Sequence, residues 1–201
     1  MVPIYIVTDI ECDGLTLGEN SMIAFASVAV GDDGRRYGEF EAVLEPLDGA
    51  SRDPDTMRWW TSRPEAWAAA TRNAEPAPSV MMRFVRWIKA MPAPSVFAAH
   101  PLAFDGIWID FYLRRFTPYA VLQSHYDSDK LFFGTGLCVR SFAAAITGRP
   151  VSECDVSAYP KAWLGEEEHT HRGIDDARGY ANLLVTLTQL SRKRAAPYGT
   201  A

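Results

Sequence analysis

Ile4-Tyr5-Ile6-Val7-Thr8-Asp9-Ile10-Glu11-Cys12-Asp13-Gly14-Leu15 is an apolar run with β-branched residues that ends in two acids and a Gly-containing turn. Side chains alternate across a strand, so Asp9 and Glu11 point to the same side, about 6.6 Å apart at ~3.3 Å rise per residue. Two carboxylates so placed repel each other unless a cation sits between them. A divalent metal is the usual one, because hard cations take oxygen ligands. A solvated turn at a strand end, where acids are common, explains the stretch equally well. The rest of the chain has to decide between the two.

At 201 residues the chain is long enough to bury a core, and it reads as one domain over residues 1–194 with 195–201 as a frayed tail. A hydrophobic content of 48% against 22% charged residues suits a globular protein and argues against a disordered one. No apolar run reaches the length of a membrane span, and no basic leader precedes Asp9, so neither a membrane protein nor a secretory signal is expected. Cys12, Cys138 and Cys154 are odd in number and form no CxxC, which points away from a disulfide framework or a zinc site and towards a reducing cytoplasm. The formal net charge of −5 argues against coating nucleic acid by bulk electrostatics. It leaves room for a protein that grips one strand end at a metal site, where ions supply the positive field.

Outward from the first strand, Asn20 to Val30 reads as a second strand, Gly31-Asp32-Asp33-Gly34 as a turn, and Arg35 to Glu45 as a third strand. On that third strand Phe40, Ala42 and Leu44 share one face, and Glu39, Glu41 and Glu45 the other, which is expected to be exposed. Pro54 to Arg72 changes to a helical period interrupted near Ser62-Arg63-Pro64, and its Trp59-Trp60 pair reads as core or lid. Val80 to Met91 is an amphipathic helix, stopped by Pro92-Ala93-Pro94. A short buried strand over Ser95 to His100 leads to a helix over Ala103 to Phe116, with Phe104, Ile107, Trp108, Phe111 and Tyr112 on its apolar stripe. Thr117 to Gly136 is irregular, Leu137 to Thr147 helical, and Gly148 to Thr170 loop-rich, with Glu166-Glu167-Glu168 as a solvated acidic face. The last helix runs from about Gly173 to Arg192, with Ala177, Tyr180, Ala181, Leu184 and Leu187 inward. Strands first, then helices interleaved with a further strand, predict an α/β fold: a mixed sheet with an antiparallel three-strand meander, flanked by helices.

Three separated places supply acids at the edges of these elements. Asp9 and Glu11 end the first strand, Asp105 follows Phe104 in the first turn of a helix, and Asp176 lies in the first turn of the last helix, five residues after His171. Taken singly, Asp105 and Asp176 are explained by the helix dipole, which favours acids in a first turn. Together, Asp9-Ile10-Glu11, Phe104-Asp105 and His171-x4-Asp176-Ala177 resemble, in order and spacing, the three motifs of the DEDDh 3'-5' exonucleases. The matching elements cover nearly the whole chain. The segment Thr56-Met57-Arg58-Trp59-Trp60 further resembles the branch of phage DexA and the mycobacterial exoribonuclease.

The resemblance implies a ribonuclease H-like fold and removal of nucleotides from the 3' end of single-stranded RNA or DNA. It implies that Asp9, Glu11, Asp105 and Asp176 hold two Mg²⁺ or Mn²⁺ ions, which suit an all-carboxylate site. His171 would be the general base, since an imidazole titrates near neutrality. His169 lacks the spacing to Asp176 and reads as a bystander, while His100 and His125 carry no role. Cys12, Gly14 and Leu15 stand where the family receives the 3'-terminal nucleotide, with backbone near Cys12 for the terminal hydroxyl and Leu15 as a wedge between the last bases. Relatives often form homodimers. Pro101 stands where many relatives carry Asn, Gly173 replaces a common Ala and is expected to loosen the helix start, and Cys12 and Asp13 fill places often held by Thr.

Two other readings compete. Glu11-Cys12-Asp13-Gly14-Leu15-Thr16 faintly echoes the Asp-x-Asp-x-Thr loop of haloacid dehalogenase phosphatases, but that chemistry needs an Asp nucleophile where Glu11 stands. A non-catalytic nucleic-acid-binding module would retain the fold without needing all five acid and histidine residues, whereas a proofreading module associated with a polymerase is distinguished by a stable partner on pull-down.

Overall fold

A computed structural model describes residues 2–124 and 126–194. The first strand, β1 (Ile4–Cys12), is buried along nearly its whole length because it is the central strand of a five-stranded sheet. It pairs antiparallel with β2 (Met22–Gly31), which pairs antiparallel with β3 (Arg36–Val43). On its other side it runs parallel to β4 (Ser95–Ala99), which carries a two-residue strand β5 (Leu137–Cys138) at the sheet edge. The order is β3-β2-β1-β4-β5, a mixed sheet with the expected three-strand meander.

Alternation along β1 divides the molecule into two layers. Ile4, Ile6, Ile10 and Cys12 face one core, built with Phe84 and Ile88 of α3 (Ala77–Lys89) and Trp108, Ile109 and Tyr112 of α4 (Leu102–Phe116). Val7 faces the other core, built with Val139 and Ala143 of α5 (Val139–Thr147) and Ala177, Tyr180, Ala181, Leu184 and Leu187 of α6 (Gly173–Arg194). Asp9 and Glu11 share the parity of Val7 and therefore lie on the α6 side. The register of β4 explains why they are free to meet other residues there. Its last pairing sets Ala99 opposite Thr8, so β1 runs on past its parallel neighbour and opens a crevice at the carboxyl ends of the two strands.

α1 (Pro54–Thr61) and α2 (Pro64–Thr71) break at Ser62-Arg63, as the period change predicted. Asp53 caps α1 by accepting the Thr56 N–H at 2.7 Å. Trp60, 2% exposed, packs with Ile23, Ala24 and Ala70 and donates its indole N–H to the Cys12 carbonyl at 3.0 Å. It therefore anchors α1 against the end of β1. Trp60→Ala is expected to cost about 3–5 kcal/mol, whereas Trp60→Phe keeps most of the packing and loses a hydrogen bond of roughly 1 kcal/mol. Denaturant melts of the two variants check this ranking.

Two expectations need correction. Ile107 is 47% exposed: α4 carries apolar residues on more than one side, and the stripe that faces the core is Trp108, Ile109, Tyr112 and Leu113. Leu137 and Cys138 begin a strand rather than a helix, because β4 extends its ladder to them through Ala98 and Ala99. The acidic face of β3 is exposed, as expected, with Arg178 of α6 pairing with Glu39 at 2.7 Å and Arg172 approaching Glu41 at 3.7 Å. Gly173 opens α6 buried against β1 and β2, where a Cβ would stand 3.4 Å from the Ala26 nitrogen and 3.6 Å from the Asp9 carbonyl, in ordinary van der Waals contact. The expected fraying of residues 195–201 and the unassigned His125 lie outside the described residues. Among the described residues no helix is long and apolar enough to cross a membrane.

Candidate active site

Four carboxylates converge on the crevice beyond β4. Asp9 and Glu11 come from β1, Asp176 from the first turn of α6, and Asp105 from the first turn of α4, where the backbone of Ile10 lies against it. All four are buried. One oxygen each of Asp9, Glu11 and Asp176 lies within 4.8 Å of the others. Burial, then the charges of Asp105, Glu11 and Asp176, push the Asp9 carboxyl well above the ordinary carboxylate range. Burial, then Asp176 and Asp105, do the same to Glu11. Asp105 is pushed up to about 8 by burial, against the opposing pull of the Ile10 backbone N–H.

This arrangement is costly as it stands. Among the described residues no Lys or Arg pairs with Asp9, Glu11, Asp105 or Asp176, and Asp105 Oδ2 is buried with no hydrogen-bond partner. A buried carboxylate oxygen without a donor is expensive, and like charges in low dielectric add to it. Divalent cations answer both demands, and an all-oxygen donor set is the one that Mg²⁺ and Mn²⁺ prefer. The residues present fit such ions.

The two histidines before α6 reach the same place. His169 Nδ1 lies 2.9 Å from Asp176 Oδ1, and the Thr170 N–H donates to the same oxygen at 3.1 Å. His171 stands 4.4 Å from His169, ring to ring, with a left-handed backbone at φ 56°. Burial, then the neighbouring His169, hold its imidazole below the ordinary histidine range, so it is neutral at pH 7. The Asp176 carboxylate raises His169 instead. His100 is structural: it stacks on Tyr180 at 4.6 Å, bonds the Tyr159 hydroxyl at 3.0 Å, and is driven down to about 4 by burial.

Beside Glu11 lies an open cleft of about 380 Å³, lined by Ile10, Cys12, Leu15, Thr56, Trp59 and Phe104. Leu15 projects into it, 69% exposed, from a turn that is tied down on every side. The Asp13 carboxylate accepts the Ser21 N–H at 2.6 Å, and Asn20 accepts the Thr16 N–H at 2.9 Å while donating to the Ser51 carbonyl at 2.8 Å. Gly14 is required there, because a Cβ would stand 2.2 Å from the Asn20 side chain. The thiol of Cys12 is pushed up to about 12 by burial and stays protonated.

No protein-family model matches the chain, and no curated protein does. Solved structures do. The nuclease domain of 3'hExo, a DEDDh family member bound to rAMP, superposes with a TM-score of 0.64 at 13% identity, over 94% of this chain and 92% of that one. A 3'-exonuclease solved for its 3'-end-specific recognition of a histone mRNA stem-loop gives 0.67 at 11% identity, over 94% and 82%. E. coli exonuclease I in complex with a dT13 oligonucleotide gives 0.65 at 14% identity, and this chain spans 42% of its length. The chain shares the fold of these exonucleases.

Two residues that a reading of the sequence leaves outside the site stand beside it. His169, read as a bystander, lies 2.9 Å from Asp176. Trp59 lines the cleft, 36% exposed, with its ring centre 4.9 Å from that of His171 in an edge-to-face pair and the Arg63 guanidinium 4.1 Å from its ring centre. Consecutive positions on a helix point about 100° apart, and here Trp60 turns into the core while Trp59 turns towards the cleft.

Proposed function

We propose that this protein is a divalent-metal-dependent 3'-5' exonuclease that removes nucleotides from the 3' end of single-stranded RNA or DNA. The observation that carries the reading is the convergence of four buried carboxylates, none paired with a Lys or Arg among the described residues, on a crevice that adjoins an open, apolar-walled cleft. Asp9, Glu11, Asp105 and Asp176 would hold two Mg²⁺ or Mn²⁺ ions, which supply charge neutralisation at the phosphate and acidify water for attack. His171, neutral at pH 7 and at the mouth of the site, takes the proton of the attacking water on an imidazole nitrogen. Cys12, Gly14 and Leu15 receive the terminal nucleotide. The rigid turn holds Leu15 against the base face, and Trp59 and Phe104 close the cleft around it. Apolar contact and stacking with base faces tolerate any sequence.

The Thr56–Trp60 segment supports a place near the branch of phage DexA and the mycobacterial exoribonuclease, since Thr56 and Trp59 both border the cleft. Three free cysteines suit a cytoplasmic setting, and a homodimer is what the resemblance carries.

The test is a 5'-labelled single strand, RNA in one series and DNA in another, incubated with Mg²⁺, Mn²⁺ or chelator. A metal-dependent ladder that shortens from the 3' end is the expected result. Binding without shortening under either metal would reject hydrolysis and turn the site into a non-catalytic one. Leu15→Ala is expected to raise KM for the single strand roughly tenfold, about 1.4 kcal/mol of lost base contact, with kcat nearly unchanged. An unaltered KM would remove Leu15 from the substrate site.

A further inference from the structure

His169 and Thr170 both spend a donor on one oxygen of one carboxylate. The His169 Nδ1–H reaches Asp176 Oδ1 at 2.9 Å and the Thr170 N–H reaches it at 3.1 Å, while the Thr170 hydroxyl donates to Asp175 at 3.0 Å. Three bonds thus fold the segment before α6 back onto the first turn of that helix. Both contacts to Asp176 fall on Oδ1, and an oxygen of the same carboxylate lies within 4.8 Å of oxygens of Asp9 and Glu11. The same clasp fixes the next residue. His171 adopts a left-handed backbone that disfavours a side chain by about 1–2 kcal/mol, and a tether on either side is what keeps it there.

We infer that His169 is a positioning residue of the carboxylate site: its Nδ1–H orients Asp176 towards a cation, and the clasp sets His171 beside it. The inference rests on the metal site of the proposed function, but its readout is metal binding rather than hydrolysis. A carboxylate that ligates a cation through one oxygen gains from a donor on the other, which fixes its rotamer and removes the entropy otherwise lost on binding. His169 is partly exposed and packs only edge-on against His171 and at 6.3 Å against Tyr180, so it contributes little to the core.

The experiment is titration calorimetry with Mn²⁺ on the wild-type protein, His169→Ala and His169→Asn, alongside thermal melts of all three in chelator. His169→Ala is expected to weaken Mn²⁺ binding by about tenfold or more, with its chelated melting temperature lowered by only about 2–4 °C, the loss of one partly exposed pair. His169→Asn, whose amide N–H stands near the position of the imidazole Nδ1–H, is expected to recover most of that loss. In the nuclease assay, His169→Ala lowers kcat and leaves KM for the strand in place. Wild-type affinity for Mn²⁺ in His169→Ala, or an Asn variant as weak as the Ala variant, would overturn the inference. A wild-type protein that binds Mn²⁺ but shortens no strand would reject the exonuclease reading alone, and the comparison of the three proteins would still decide the role of His169.

Discussion

Asp9→Asn is expected to abolish hydrolysis and, in the same protein, to raise the melting temperature of the metal-free form. The loss follows from the central place of Asp9 among the carboxylates. Charge stabilisation by a bound cation contributes several kcal/mol to the barrier, and about 4 kcal/mol is roughly a 10³-fold loss in kcat. The gain in stability follows from the same geometry. Asp9 is buried beside Asp105, Glu11 and Asp176, all of which disfavour its ionised form. Asparagine has nearly the same shape and no charge, so it relieves the desolvation and the repulsion together. In a chain of this size each kcal/mol so relieved raises Tm by about 2–4 °C. A nuclease assay and a melt in chelator read the two effects. An active Asp9→Asn protein, or one that melts below the wild type without metal, would contradict this account of the cluster.

The second large effect couples pH to metal. Asp105 has an ordinary pKa of 3.8 and is pushed up to about 8 in the folded chain. Between those values the folded protein binds a proton that the unfolded chain has already released. The stability contributed by this group is therefore present below about pH 4 and falls as pH rises towards 8, by up to about 1.4 kcal/mol per pH unit. Asp9 and Glu11 act in the same direction, as does His169, raised by Asp176. His100, lowered to about 4, and His171 act in the opposite direction, since they must stay neutral when folded. The clean quantity is thus the difference between wild type and Asp105→Asn. In chelator, the variant is expected to gain on the wild type steadily from pH 5 to pH 8. Saturating Mn²⁺ at pH 8 should return about 2.7 kcal/mol to the wild type at a hundredfold excess over Kd, and this gain should shrink at pH 5, where protons compete for the same oxygens. A difference that stays flat from pH 5 to pH 8, or a wild type indifferent to Mn²⁺, would contradict the proposal that these acids are a cation site.

Much of this molecule is legible in its sequence where the determinant is local. β1 is an apolar run buried on both faces, and the alternation that sets Asp9 and Glu11 to one side needs no tertiary information. Asp105 and Asp176 are readable as first-turn acids because each follows a short connection into a strongly apolar helix. What escapes is what tertiary contacts decide. α4 is apolar on too many sides for periodicity to select its buried stripe, and Ile107 ends up outside it. β5 is two residues long and exists only because Ala98 and Ala99 offer a ladder. The bond between His169 and Asp176 arises from a loop that folds back through the Gly165 turn, and spacing arguments select a single histidine, His171. The acids of β3 are exposed as their alternation suggests, but their partners, Arg172 just before α6 and Arg178 on it, come from more than a hundred residues away.

The central claim is that Asp9, Glu11, Asp105 and Asp176 together bind the cations of a hydrolytic site. A crystal of the protein soaked in Mn²⁺ with a nucleoside 5'-monophosphate, measured for anomalous scattering, tests it most directly. The account predicts two anomalous peaks among the four carboxylates, with the nucleobase in the cleft against Leu15. A crystal that binds the nucleotide elsewhere, or that shows no anomalous peak between Asp9 and Asp176, would contradict it.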